Sequence, residues 1–223
     1  MLELASWIWL TGAAAAAEQS CEAVAPPKDF VALSSLGDGV AVDARYHTSN
    51  NFTGAPLPGY EAAELWVRAE VGAALKAAAA KLETQGLGLL VLDGYRPVRA
   101  TQAMVDWTRR TQQGHLITNG YIASKSGHNH GHTVDLTLMT RADGKEVDMG
   151  SPFDHFGPES HHGASVSPEA AKARVVLSEA MKAAGFRPYS KEWWHYRLPV
   201  AGTSPLDVPI ACRVATEPQD SPP

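Results

Sequence analysis

Apolar residues recur along the chain with two spacings, and each spacing predicts a kind of secondary structure. Residues 61–85 contain no proline and a single glycine. Within them Val71, Leu75 and Leu82 fall near helical spacing, which predicts a long amphipathic helix. Residues 89–92 form a short apolar run of the kind found in buried strands. The same criteria predict two further helices, over residues 100–112 and 167–184, and three further strands, over residues 40–46, 134–139 and 189–198.

Turn and cap residues separate several of these elements. Asp143-Gly144 is a strong hairpin signal after the strand at 134–139. Ser167 followed by Pro168 is typical of a helix start, with serine as the cap and proline at the first helical position. Because helices alternate with antiparallel strands, the predicted fold class is α+β. We expect a single domain with a central antiparallel sheet flanked by helices.

Length and charge narrow the function classes. The chain has 223 residues and is 44% hydrophobic, which is enough to bury a substantial core in one domain. Its formal net charge is -5, and it contains no run of Lys or Arg. This balance argues against nucleic acid or an anionic membrane surface as a partner.

The two ends of the chain differ in composition from the rest. Residues 2–17 are almost wholly apolar and end in an alanine run, which predicts a signal peptide over residues 1–20 and a periplasmic or secreted protein. Glu3 stands where a signal peptide carries positive charge, so an apolar N-terminal helix of a cytoplasmic protein is the alternative. After signal removal we expect no stable membrane association. The predicted domain is 21–215, followed by a disordered tail over residues 216–223.

The chain has two cysteines, Cys21 and Cys212, close to the two ends of the predicted domain. Domain termini are often close in space, and exported proteins tolerate disulfides. The hypothesis is a Cys21–Cys212 bridge that ties the ends together; two unrelated free thiols are the alternative.

Two remote segments carry the candidate chemistry. Ser126 to Asp135 is rich in histidine, and Glu192-Trp-Trp-His195 lies far downstream. Zinc takes imidazole nitrogen and carboxylate oxygen as ligands, and a catalytic zinc keeps a fourth position open. His128, Asp135 and His195 together would supply three ligands to one Zn2+ per chain. Glu192 would then lie beside the metal, where a general base belongs.

The arrangement of these motifs resembles a known family. The SxHxxGxxxD pattern at Ser126–Asp135 and EWWH at 192–195 are similar to the zinc D-alanyl-D-alanine dipeptidases of the vancomycin-resistance type, within the zinc D,D-peptidases. Asp93-Gly-Tyr-Arg96-Pro97 upstream fits the same family. The resemblance covers residues 40–198. It implies the zinc D,D-peptidase fold and hydrolysis of D-Ala-D-Ala, a small D,D-dipeptide, to free D-alanine.

The resemblance also implies roles for individual residues. His128, Asp135 and His195 match the zinc ligands, Glu192 matches the catalytic acid/base, and Arg96 matches the arginine that stabilises the transition state. Asp154 and Ser126 match residues near the free amino group of the substrate, and Tyr46 and Phe52 match pocket positions. His130 and His132 occupy positions that carry other polar or small residues in the family. With His128 they alternate along the chain, which suggests a strand with one face of imidazoles.

Two other functions stay open on the sequence. The same metal chemistry could belong to a D,D-carboxypeptidase or to a peptidase of the peptidoglycan stem peptide. A non-catalytic zinc module that binds cell-wall peptide is the alternative of another class. Retention of Glu192 and Arg96 counts against it, because a binding module needs neither. The sequence leaves the oligomeric state open.

Overall fold

The computed structural model describes residues 21–214. The predicted signal peptide (1–20) and tail (216–223) lie outside the described residues. The chain forms nine strands and four α-helices within that range. The strands are β1 Cys21–Ala23, β2 Phe30–Ala32, β3 Val40–Val42, β4 Trp66–Arg68, β5 Leu87–Asp93, β6 Thr133–Thr140, β7 Arg187–Tyr189, β8 Glu192–Arg197 and β9 Cys212–Val214. The helices are α1 Ala69–Glu83, α2 Val98–Arg110, α3 His115–Thr118 and α4 Pro168–Ala183.

A five-stranded sheet in the order β3-β5-β6-β8-β7 forms the centre of the molecule. Its pairs are antiparallel except for β3 and β5, which run parallel. Helices α1 and α4 contact each other and the strands of this sheet. The α+β prediction with a central sheet flanked by helices is therefore confirmed, with one parallel pair that the sequence did not indicate.

Three predicted elements have different bounds in the structure. The helix predicted over 61–85 begins only at Ala69, because residues 66–68 pair with β2 as a strand. Leu65, Trp66 and Val67 are all fully buried, and three consecutive buried residues suit an extended segment better than one face of a surface helix. The strand predicted over 40–46 ends at Val42. The strand predicted over 189–198 begins only at Glu192 as β8, because Tyr189 ends the separate strand β7.

The two faces of the central sheet have different surroundings. Val134 of β6 lies opposite Tyr196 of β8, and the Tyr196 hydroxyl lies near Ser178 of α4. This face is covered by helix. The neighbouring pair, Asp135 opposite His195, points to the other face because side chains alternate along a strand.

The two ends of the described chain meet. Strands β1 and β9 pair antiparallel, with Ala23 opposite Cys212. Cys212 is in a disulfide, and since the chain has two cysteines, this agrees with the predicted bridge. Across the described range, no helix combines the length and apolar character needed to cross a membrane.

Candidate metal centre

Strand register brings the two remote motifs together. Asp135 and His195 are direct partners on adjacent strands, and such pairs project from the same face. His128 reaches them from a 3-10 turn, Gly127–His130, that leads into β6. The Ser126 hydroxyl accepts a hydrogen bond from the His128 backbone N–H at 3.2 Å and caps this turn.

The predicted strand of three alternating imidazoles is wrong, because this segment is a turn. His128 alone of the three histidines belongs to the cluster with Asp135 and His195. His130 and His132 instead stack on each other, with ring centroids 5.2 Å apart. The Gly131 residue between them has φ +73°, a left-handed conformation that glycine adopts without steric cost and that ends the turn.

The three predicted ligands converge on one point. One ligand atom of each of His128, Asp135 and His195 lies within 4.8 Å of the others. Asp135 Oδ2 is 3.3 Å from His128 Nε2, and Asp135 Oδ1 is 2.9 Å from His195 Nδ1. Two imidazole nitrogens and a carboxylate are a donor set typical of catalytic zinc.

The protonation of these groups fits a metal ion. His128 Nδ1 donates to the Gly94 carbonyl oxygen at 2.8 Å, which leaves Nε2 as the ring nitrogen that faces Asp135. Burial opposes ionisation of Asp135, but the two histidines outweigh it and hold the carboxyl pKa well below its usual range. Burial lowers the pKa of His195 despite the opposing effect of Asp135, which favours the neutral ring. Asp135 Oδ1 is buried without a geometrically satisfactory hydrogen bond, as expected for an oxygen that faces a cation.

Glu192 shares the cavity with the three ligands because β8 is irregular. Glu192 and His195 are three residues apart, so a flat strand would send them to opposite faces. On β7, Pro188 pairs with Tyr196 and Tyr189 pairs with Glu192, which places a register shift between these two positions. Glu192 Oε2 consequently lies 3.6 Å from His195 Nδ1. Burial, followed by the charges of Asp135 and Asp154, raises the Glu192 pKa well above its usual value.

Arg96 lies on the other side of the ligands and is held by Asp93. Its Nε and Nη2 donate to Asp93 Oδ2 at 2.9 and 2.7 Å. Its Nη2 is also 3.6 Å from Asp135 Oδ2, and its guanidinium lies over the Tyr46 ring. Burial opposes the charge, but Asp93 and its neighbours outweigh burial and raise the Arg96 pKa well above normal.

Asp93 is the residue of this centre that the sequence did not single out as functional. It accepts from the Tyr60 hydroxyl at 2.6 Å, and its Oδ2 lies 3.3 Å from His128 Nδ1. A bulge in β5 accounts for its position. Val91 pairs with Leu136, whereas Asp93 pairs with Asp135, so the strand gains one residue and Asp93 turns to the face of Asp135. The signal in the sequence was an aspartate that directly follows an apolar strand and precedes an arginine by three residues.

The cluster opens into a cavity of about 370 Å³ that contains every predicted site residue. Asp154 is one of its lining residues and accepts from the Tyr46 hydroxyl at 2.9 Å. Burial, followed by the charge of Asp135, raises the Asp154 pKa to about 8. Phe52 packs edge-to-face on Phe156 and Trp107 and forms an aromatic wall. The lining comprises Tyr46, Phe52, Arg96, Met104, Gly120–Ala123, Lys125–His128, Asp135, Asp154, Phe156, Tyr189, Glu192, Trp194 and His195.

A donor set for one metal ion, next to a buried carboxyl group and a buried arginine, fits the class of metal-dependent hydrolases. The sequence model of the D-ala-D-ala dipeptidase family of M15 peptidases matches residues 27–215. The chain therefore belongs to this family.

Individual relatives agree with the assignment. A D-alanyl-D-alanine dipeptidase of Enterococcus faecium is 39% identical over 183 residues, covering 76% of this chain and 91% of that protein. One from Streptomyces coelicolor is 39% identical over 184 residues with the same coverage. Among solved structures, the LD-carboxypeptidase LdcB is 18% identical with a TM-score of 0.44, covering 77% of this chain and 68% of that one. The last similarity is too low to carry an argument about function.

Proposed function

We propose that this protein hydrolyses D,D-dipeptides of the D-Ala-D-Ala type to free amino acids, with one zinc ion per chain. The observation that carries the proposal is the convergence of the three ligand atoms in a cavity that also holds Glu192 and Arg96. The names of the relatives, D-alanyl-D-alanine dipeptidases at 39% identity, support the substrate class. His128 Nε2, Asp135 and His195 Nδ1 would hold the ion. When bound there, zinc supplies a Lewis acid that polarises a carbonyl and lowers the pKa of water.

Glu192 is proposed as the group that moves the proton. Its carboxylate accepts a proton from the attacking water and returns it to the nitrogen of the leaving amino acid. A cation held by the ligands would favour the ionised carboxylate that accepts the proton. Burial favours the neutral form of Glu192, so the proton stays on the carboxyl group until the nitrogen takes it as the C–N bond breaks.

Arg96 is proposed to stabilise the oxyanion that develops on the scissile carbonyl. Asp93 accepts from two of its nitrogens, which fixes the guanidinium before substrate binds. A charged donor held in advance stabilises the transition state without reorganisation.

Asp154 is proposed to bind the ammonium end of the substrate. It is a half-buried carboxyl group that lines the cavity, and a positive charge beside it would stabilise its ionised form. A longer peptide would place a neutral amide at this position, so Asp154 favours dipeptides over stem peptides. Tyr46, Phe52 and Ser126 would shape the rest of the pocket.

The test is hydrolysis of D-Ala-D-Ala, L-Ala-L-Ala and a stem pentapeptide by protein that has been stripped with chelator and then restored with zinc. We expect alanine release from D-Ala-D-Ala alone, and only after zinc is restored. Efficient cleavage of the pentapeptide would replace the proposal with the carboxypeptidase alternative. Stoichiometric zinc binding without cleavage of any substrate would favour the binding module.

Asp154→Asn sharpens the test, with Asp148→Asn as the matched control. Asp148 lies on an exposed loop segment and does not line the cavity. We expect Asp154→Asn to lower kcat/KM for D-Ala-D-Ala about tenfold or more, since a charge-assisted contact is lost. Equal effects of the two variants would exclude this role for Asp154.

Export to an oxidising compartment is a further proposal. The disulfide at Cys212 supports it, because disulfides persist outside the reducing cytosol. Cell fractionation followed by intact-mass measurement of the recovered protein tests it. A full-length cytoplasmic product would contradict it.

A further inference from the structure

A second cavity adjoins the catalytic one. It has a volume of about 780 Å³ and shares Lys125, Ser126, Gly127 and His195 with the first cavity. Because the candidate ligand His195 lines both, the second cavity lies beside the candidate metal centre. Its other lining residues are Val98, Ser124, Asn129, His130, His132, Thr133, Arg197, Val200, Gly202, Thr203 and Pro205.

The lining of the second cavity carries positive charge and no acidic residue among the residues that the structure describes. Lys125 and Arg197 are both exposed, and neither has a carboxylate partner within residues 21–214. Burial, followed by the charges of Arg197 and His130, lowers the pKa of His132 to about 4, so its ring is neutral at pH 7. The permanent charges of the cavity are therefore those of Lys125 and Arg197.

The stacked histidines provide further polar groups on this wall. His130 Nδ1 bonds to Thr203 Oγ1 at 3.1 Å, and His132 Nδ1 bonds to Thr133 Oγ1 at 3.2 Å. These bonds orient both rings in the cavity wall. Mobile surface lysines would give a diffuse charge, whereas this wall adds ordered imidazole rings to the two cations.

The two cations lie at different positions relative to the catalytic cavity. Lys125 lines both cavities, whereas Arg197 lines only the second. Asp154, proposed above for the ammonium end, does not line the second cavity. It lines the catalytic cavity and, together with Phe52, a third one. A dipeptide held by its ammonium end at Asp154 and cut at the candidate ligands can place its leaving residue in the second cavity, which shares His195 with the catalytic one and contains Lys125 and Arg197. One cation can pair with the terminal carboxylate, which leaves Arg197 for a second anionic group.

We propose that the second cavity is an anion subsite for the leaving residue, and that it extends the substrate class to D,D-dipeptides with an acidic side chain in the second position. This assignment rests on the proposed dipeptidase function. It assigns Arg197 as a specificity-determining residue that pairs with the side-chain carboxylate.

The test compares D-Ala-D-Glu with D-Ala-D-Gln, which have nearly the same shape and differ by one charge. The protein is the zinc-restored full chain, and D-Ala-D-Ala is the reference substrate. We expect D-Ala-D-Glu to be preferred about fivefold in kcat/KM, mainly through KM, because an exposed ion pair contributes modestly. The preference should shrink as salt is raised.

Arg197→Gln should abolish the preference, and Arg197→Glu should invert it. Because the readout is a ratio of two substrates on one enzyme, general damage to the site cancels. Lys172→Gln removes one positive charge from an exposed position of α4 that lines neither cavity, and this control should keep the ratio.

The possible failures are distinct. Absence of D-Ala-D-Ala hydrolysis would overturn the proposed function and this assignment with it. Hydrolysis of D-Ala-D-Ala without hydrolysis of either larger dipeptide would overturn the assignment alone. So would equal rates for the acid and the amide, or an unchanged ratio in Arg197→Gln.

Discussion

The two faces of strands β6 and β8 are made from adjacent residues but have opposite properties. Val134 and Tyr196 point towards helix α4, whereas their neighbours Asp135 and His195 point into the catalytic cavity. One face therefore stabilises the fold and the other carries the proposed chemistry. The rigid apolar layer on one face thus holds the ionisable groups of the neighbouring residues at fixed separations on the other face. Substitutions on the two faces should separate activity from stability.

The largest expected effect is on the catalytic face. Glu192→Gln should lower kcat for D-Ala-D-Ala about 10³-fold, because the neutral amide cannot accept a proton. Bound zinc and the midpoint of urea unfolding should stay near wild-type values. Glu179→Gln, an exposed change on α4, is the control. Full turnover by Glu192→Gln would show that another group moves the proton.

Leu136→Ala tests the opposite face. Leu136 is fully buried in β6, and such a truncation typically lowers the free energy of unfolding by about 2–5 kcal/mol. Urea denaturation measures this loss, and kcat of the remaining folded protein should be unchanged. A large fall in kcat with little loss of stability would contradict the separation of the two faces.

Asp93→Asn tests how the catalytic face is held in place. The amide would weaken the contacts to Arg96 and His128, so we expect about a 10- to 100-fold loss in zinc affinity or kcat/KM. Competition with a chelating dye measures the affinity. Asp106→Asn, at a half-buried position of α2 that does not line the cavity, provides the control. Wild-type values for both quantities would restrict Asp93 to a structural role.

The smallest expected effect is on how the stability of the protein depends on pH, and it involves a histidine next to the helix-covered face. His162 packs edge-on to Tyr196, and burial, followed by the charges of Lys182 and Arg174, lowers its pKa to about 4. The unfolded state, with a pKa of about 6.5, then binds more protons between about pH 4 and 6.5. Stability is present above this window and falls as pH drops through it.

His162→Gln should flatten this part of the stability–pH curve. The midpoint of urea unfolding of metal-free protein, recorded from pH 4 to 7, measures the slope without a contribution from metal loss. An unchanged slope would show that His162 titrates alike in both states.

The sequence pointed to the candidate ligands because they lie in short motifs whose residue types suit a metal ion. Their meeting depends on the register Asp135–His195, which a single strand does not encode. The start of α1 was missed because the Ala, Glu and Leu residues within 61–68 favour helix locally, whereas pairing with β2 decides the structure. The subsite proposed at Arg197 was invisible in the sequence, since its lining comes from segments far apart in the chain.

The bulge in β5 divides the strand into two parts. Before the bulge, every second side chain points into the core; after it, the alternation of side chains between the two faces is inverted. A continuous strand thereby serves as apolar scaffold along most of its length and delivers an acidic group at its end. If the strand were regular from Val91 to Asp93, the two side chains would share a face and that acid would point into the hydrophobic layer.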